Sequence, residues 1–195
     1  FADIAYYDSL ITNYFNNFCK VNFPEKKIFH GNLIEKLRYG ENPHQESAIY
    51  SKNNKLELKQ LHGKSLSYNN YNDIFAALTI SKSLPKNKGT VIIKHANPCG
   101  ISIKENKIDS FKSAFLCDPI SAFGGIVSCN FKITKKLALE LNKIFLEVVI
   151  ANDFEKDALK ILKLKKNLRI IDSKNFILNE TLKFISNNDS LLVQS

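Results

Sequence analysis

Tyr7, Ile11, Tyr14, Phe15 and Phe18 recur at three- and four-residue intervals, so an amphipathic helix is expected over residues 4–18. Pro24, Gly31 and the polar residues between them read as a linker. Residues 33–50 contain Gly40 and Pro43, two breakers that make the stretch a loop rather than an element. Asn72 or Asp73 is expected to cap a helix that carries Ile74, Ala77, Leu78 and Leu84 and stops before Pro85. After Gly89, Val91-Ile92-Ile93 are β-branched without polar alternation, the pattern of a short strand covered on both faces. A helix bearing Phe111, Ala114 and Phe115 is expected to end at Asp118-Pro119, and a strand to begin at Ile126. Thr134 caps the next helix, whose stripe is Leu137, Leu141, Ile144 and Phe145. A strand over 148–151, a helix over 154–162 and a strand over 168–171 follow. Residues 187–195 are expected to end without a closing element. Strands alternating with helices predict an α/β layered domain.

At 195 residues, 44% hydrophobic and 11% aromatic, the chain can bury a core, so disorder is not expected. Its apolar runs fall far short of the roughly 20 residues of a membrane span. No basic segment leads into an apolar one as in a secretory signal, and a soluble, cytoplasmic protein is expected. Phe1 opens the chain and methionine is absent, so a piece of a longer protein is expected. Cys19, Cys99, Cys117 and Cys129 lie too far apart for the paired thiolates of a zinc ribbon, so they read as reduced thiols with no metal. The net charge of +9 admits a basic nucleic-acid-binding module as an alternative reading. Yet the densest run, Lys160 to Arg169, is interleaved with Ile161, Leu162, Leu164 and Leu168 and reads as a solvated helix face. The same charge would draw in phosphorylated or polyglutamylated anions.

Two segments carry candidate chemistry. Lys94 and His95 follow Ile93 at a strand end, where ligands collect in open α/β sheets. Adjacent side chains on a strand point to opposite faces, so both reach one ligand only if the backbone turns; Asn97-Pro98 and Gly100 are expected to make that turn. A lysine beside a histidine offers a cation for a phosphate or oxyanion and a base near neutral pH. On the residues alone, a solvated lysine with a histidine bonded to a turn serves equally well. In Asp118 to Val127, Gly124-Gly125 permits close backbone approach to a ligand and Phe123 a planar stacking surface, against the plainer reading of a tight turn entering a strand. His95 with Pro98-Cys99 superficially suggests a zinc nucleobase deaminase. Asn97 stands where that signature needs Glu, and Ser102 where it needs the second Cys, so that chemistry is excluded.

Taken together, Leu37 to Gln45, Leu61 to Asn70, Lys94 to Gly100, Asp118 to Val127, Glu147 to Ala151 and Lys165 to Arg169 resemble the bifunctional purine biosynthesis family. Its members join an IMP cyclohydrolase domain to a transformylase acting on 5-aminoimidazole-4-carboxamide ribonucleotide (AICAR). The resemblance implies residues 1–20 as the tail of the cyclohydrolase domain, 21–32 as a linker and 33–195 as an incomplete N-terminal part of the transformylase domain. It implies a cytidine deaminase-like layered sheet with helices on both faces, without the deaminase zinc, and a homodimer. Formyl transfer from 10-formyltetrahydrofolate is the implied activity, with no metal, nucleic acid or membrane involved and with this stretch inactive by itself. Carried across, Lys94 stabilises the transition state and His95 is the general base. Arg38, Tyr39, Phe123, Gly124 and Glu147 hold the nucleotide. Asn152 departs from the family, which usually has Pro there.

Overall fold

The computed structural model describes residues 1–52, 54–178 and 183–194. Two compact units are present: Phe1–Ile34 with Tyr50–Lys55 and the described part of 179–195, and Glu35–Ile49 with Leu56–Leu178. Helix α1 (Ala2–Phe18) forms over the expected span, but Ser9 is its only buried residue and Tyr7, Tyr14, Phe15 and Phe18 are exposed. The Ser9 hydroxyl lies 2.9 Å from His30 Nδ1, and the His30 ring packs edge-on against Tyr6. Residues 187–194 correct an expectation. Strands β9 (Lys183–Asn187) and β10 (Ser190–Gln194) pair antiparallel through a two-residue turn in which Asn188 takes a φ of 50°. Asn tolerates that left-handed geometry better than most residues, a local signal that the reading missed.

Strands β1 (Asn32–Leu37) and β2 (Ser47–Ser51) pair with each other, so the expected loop over 33–50 shrinks to its middle. Gly40 and Pro43 break the backbone only there, where Gly40 N–H donates to the Gln45 carbonyl at 2.7 Å.

The larger unit is built on a six-stranded mixed sheet in the order β3-β8-β7-β6-β4-β5. Its strands are β3 (Lys59–His62), β4 (Gly89–Lys94), β5 (Asn97–Ile103), β6 (Ile126–Ile133), β7 (Val148–Phe154) and β8 (Arg169–Asp172). Strands β6, β7 and β8 run parallel; β4 runs antiparallel to β6 and β5. The helices are α2 (Tyr68–Ser83), α3 (Lys107–Cys117), α4 (Lys135–Asn142) and α5 (Lys156–Leu162).

Alternate strand residues enter two separate cores, as the two-residue strand period requires. Val91, Ile93, Ile126, Val148 and Ile150 join Ile74, Ala77 and Leu78 of α2. Ile92, Val127, Val149 and Ala151 join Phe111 of α3, Leu137 and Leu141 of α4, and Leu162 of α5. Helices therefore cover both faces, which is why Val91-Ile92-Ile93 lacks alternation. Each fully buried large side chain contributes about 1.5–3 kcal/mol.

Thr134 caps α4, its hydroxyl accepting from Leu137 N–H as expected. The cap of α2 is not Asn72 or Asp73 but Ser67, whose hydroxyl accepts from Asn70 N–H while Asn70 Oδ1 accepts from Ser67 N–H. Serine, asparagine and aspartate are all good caps, so composition alone could not choose among them; the reciprocal bond at Ser67 decides it.

Asn130 on β6 joins α2 to β4. Its Nδ2 donates to the carbonyls of Ser81 and Pro85 at 3.0 Å each, and its Oδ1 accepts from Lys88 and Gly89 N–H. Asn152 extends this seam, donating to the Asn130 carbonyl at 2.7 Å and accepting from Lys82 Nζ at 2.7 Å. Asn130→Ala strands several backbone groups in a buried place, each costing about 1–3 kcal/mol. A loss of more than about 3 kcal/mol is therefore expected in chemical denaturation. A change below about 1 kcal/mol would show that water replaces these bonds.

Candidate functional site

Sheet register gathers the candidate residues at one edge. Ile93 pairs with Ile126, Ile126 with Val148, and Val148 with Arg169. The residues next to these pairs, Lys94 at the end of β4, Gly124-Gly125 before β6 and Glu147 before β7, therefore share that edge with Arg169. It is the carboxyl end of β4 but the amino end of β6, β7 and β8, because β4 runs the opposite way. The segments are also tied backbone to backbone: Glu147 N–H donates to the Gly125 carbonyl and Arg169 N–H to the Glu147 carbonyl, each at 3.0 Å.

The turn after Lys94 differs from expectation. Lys94 pairs with Asn97, leaving His95 and Ala96 as a two-residue hairpin turn with φ of 52° and 58°. Asn97-Pro98 is not the turn; it begins β5, an edge strand where a missing N–H is tolerated. Gly100 lies within β5, and its role is to let α3 approach: an added β-carbon would overlap the Ala114 carbonyl oxygen.

These elements border a cleft of about 580 Å³ lined by Arg38, Tyr39, Lys64 to Ser67, Asn69, Asn70, Asp73, Lys94, His95, Gly124, Glu147 and Arg169. Among these, Arg38, Lys64, Lys94 and Arg169 outnumber the carboxylates Asp73 and Glu147, an imbalance suited to a phosphate monoester. Lys94 Nζ donates to the Phe123 carbonyl at 2.8 Å. The Arg38 guanidinium lies 4.8 Å from the centre of the Tyr39 ring and donates to its hydroxyl at 3.1 Å. Glu147 is held from two sides, accepting from Asn70 Nδ2 at 3.1 Å and facing Arg169 Nη1 at 3.8 Å. Arg169 Nε in turn donates to the Ser65 carbonyl at 3.2 Å. Gly124, with a φ of 72°, donates its N–H to the Phe145 carbonyl at 2.9 Å. Glycine is needed there because a side chain is strained at that φ.

Six of the seven candidates, Arg38, Tyr39, Lys94, His95, Gly124 and Glu147, line the cleft; Phe123 does not. Its side chain is 60% exposed and packs against Phe145 with ring centres 5.2 Å apart, while its carbonyl holds Lys94. Asn70, Asp73 and Arg169 line the cleft although the sequence assigns none of them a part in a site, Asp73 being expected there as a helix cap. The signals available were the Ser67-x-x-Asn70 spacing of a capping box, which buries Asn70, and the family-like segments that end at Asn70 and at Arg169.

Burial pushes the Asp73 carboxyl above its ordinary value, opposed by the bond from Ala96 N–H and by His95. Burial likewise raises the Cys99 thiol, which keeps it protonated and a poor nucleophile. Among the described residues, no helix is long and apolar enough to cross a membrane.

The model of the AICARFT/IMPCHase bienzyme family matches residues 1–195. The bifunctional purine biosynthesis protein PurH of Thermoanaerobacter sp. (strain X514) is 47% identical over 175 residues, covering 88% of this chain and 34% of that protein. PurH of Listeria monocytogenes serovar 1/2a (strain ATCC BAA-679 / EGD-e) is 42% identical over 200 residues, covering 100% of this chain and 39% of that one. This chain thus spans between a third and two fifths of the length of these relatives. A solved structure, Acinetobacter baumannii RibD, form 2, aligns over 51% of this chain and 34% of that chain at 15% identity, but its TM-score of 0.38 is too low to inform the fold. With its whole length matched by that family's model, the chain belongs to the AICARFT/IMPCHase bienzyme family.

Proposed function

We propose that this chain supplies the first part of an AICAR transformylase domain, in a protein that transfers a formyl group from 10-formyltetrahydrofolate to AICAR and cyclises the product to IMP. In this reading residues 1–20 are the tail of the cyclohydrolase domain, 21–32 a linker and 33–195 the transformylase part. The layered sheet is of the cytidine deaminase-like kind without its zinc, and the complete protein is a cytoplasmic homodimer. The observation that carries the reading is the meeting of Lys94 and His95 with Arg38, Tyr39 and Glu147 on one cation-rich cleft.

The chemistry suits those groups. The AICAR amine is a weak nucleophile because its lone pair is delocalised into the ring and carboxamide. As it attacks the formyl carbon, its proton passes to His95 and the developing oxyanion faces Lys94. Collapse then breaks the carbon–nitrogen bond to the folate, whose nitrogen takes up a proton. General-base assistance contributes roughly 100- to 10,000-fold, and a well-placed donor to an oxyanion about 100- to 1,000-fold.

In the full-length protein, Arg38→Ala removes a cation from the cleft. A charged hydrogen bond of about 1.5–3 kcal/mol then corresponds to AICAR binding roughly 10- to 100-fold weaker in calorimetry. Unchanged AICAR affinity in Arg38→Ala, or no AICAR binding beside RNA binding that falls steeply with salt, would count against the reading.

A further inference from the structure

His95 and Ala96 are the two central residues of the β4–β5 turn, and both have positive φ. Tight two-residue hairpins favour that geometry, but normally with Asn or Gly in those positions. A residue bearing a β-carbon is strained there, and the strain persists only where the surroundings over-determine it.

Two bonds do so. Asn97 Nδ2 donates to the His95 carbonyl at 2.9 Å, which closes the turn on itself. The other comes from a distant element: Ala96 N–H donates to Asp73 Oδ1 at 2.7 Å. Asp73 lies one turn beyond Asn70 on the same face of α2. Asn70 is buried, locked by the Ser67 capping box, and donates to Glu147. A single helix face thus sets two walls of the cleft, Glu147 through Asn70 and the His95 turn through Asp73. Burial disfavours the Asp73 charge, yet the residue stays in the cleft lining with its carboxylate turned to the turn's backbone, bonded by the N–H groups of Ala96 and His95.

We propose that Asp73 is a positioning residue for formyl transfer, holding the His95-Ala96 turn in its left-handed form so that Lys94 and His95 address the same ligand. This rests on the roles given above to Lys94 and His95.

The test uses the full-length protein and compares Asp73→Ala, Asp73→Asn and His95→Ala. Asp73→Ala is expected to lower kcat for formyl transfer about 10- to 100-fold, the cost of displacing a catalytic group by about 1 Å. The KM for AICAR is expected to change by less than about threefold, because the bond lost is to backbone and not to ligand. Asp73→Asn keeps a carbonyl oxygen for Ala96 N–H and is expected to recover most of the lost rate. A kcat within about twofold of the parent in Asp73→Ala overturns the proposal, as does an Asp73→Asn variant no faster than Asp73→Ala. If His95→Ala turns over normally, the transformylase reading of His95 itself fails. If His95→Ala is inactive and Asp73→Ala is normal, only the positioning role fails. Should Asp73→Ala not accumulate as folded protein, Ala96→Gly is added, since glycine takes positive φ without the bond. That double variant is expected to turn over within about tenfold of the parent; folded protein as slow as His95→Ala overturns the proposal.

Discussion

His95→Ala in the full-length protein is expected to lower formyl transfer by about 100- to 10,000-fold, the range for a lost general base, while cyclisation of the formylated product continues at its normal rate. The expectation rests on where the imidazole stands. His95 lies in the turn directly after β4, in the lining of the cleft, and its neighbour Lys94 has its ammonium on the Phe123 carbonyl across the same edge. The lost rate is expected in kcat with little change in AICAR affinity, because base assistance is drawn on mainly in the transition state. A His95→Ala protein that transfers formyl at a near-normal rate would sink the assignment. One in which both activities fell together would instead report damage to the whole protein.

Gly100→Ala carries the second large effect, and on stability. The added β-carbon would overlap the Ala114 carbonyl oxygen and lie 2.9 Å from its carbonyl carbon and 3.1 Å from Cys117 Cβ. The first two atoms are backbone of α3, so no side-chain rotation relieves the contact; α3 or β5 must move. Overpacking commonly costs about 1–3 kcal/mol where side chains can adjust, so a loss above about 3 kcal/mol is expected here. The measurement is the denaturant midpoint at unchanged slope, and a shift equivalent to less than about 1 kcal/mol would mean that α3 slides at little cost. The variant also separates two roles for Gly100. Were the residue needed for the turn beside His95, activity would fall before stability did. The packing against Ala114 predicts the reverse.

The candidate site was partly legible because its residues sit in short motifs whose chemistry is local. Lys94-His95 advertises a cation and a base, and Gly124 a backbone position that only glycine takes comfortably. The same local logic misled at Asn97-Pro98. Proline reads as a turn wherever it occurs, but at the edge of a sheet its missing N–H costs nothing, so the chain continues as β5. At Phe123 the ring packs against Phe145 outside the cleft lining while the carbonyl accepts from Lys94, a placement that the residue type alone does not give.

Taken alone, the sequence determined the covering of the sheet by helices on both faces, since strands without polar alternation have no face to give to water. It determined the end of α3 before Asp118-Pro119 and the cap of α4, which depend on neighbours a few residues away. It also determined family membership, through motifs in one order along nearly the whole chain. Tertiary structure decided what depends on register. Antiparallel β4 brings Lys94 beside the amino ends of three parallel strands, and that is why Glu147 and Arg169, distant in sequence, face the same cleft. It decided as well that Asp73 holds a strained turn instead of capping a helix. An aspartate is a good cap in any sequence, and only the position of Ala96 N–H, 2.7 Å from its oxygen, gives it another partner.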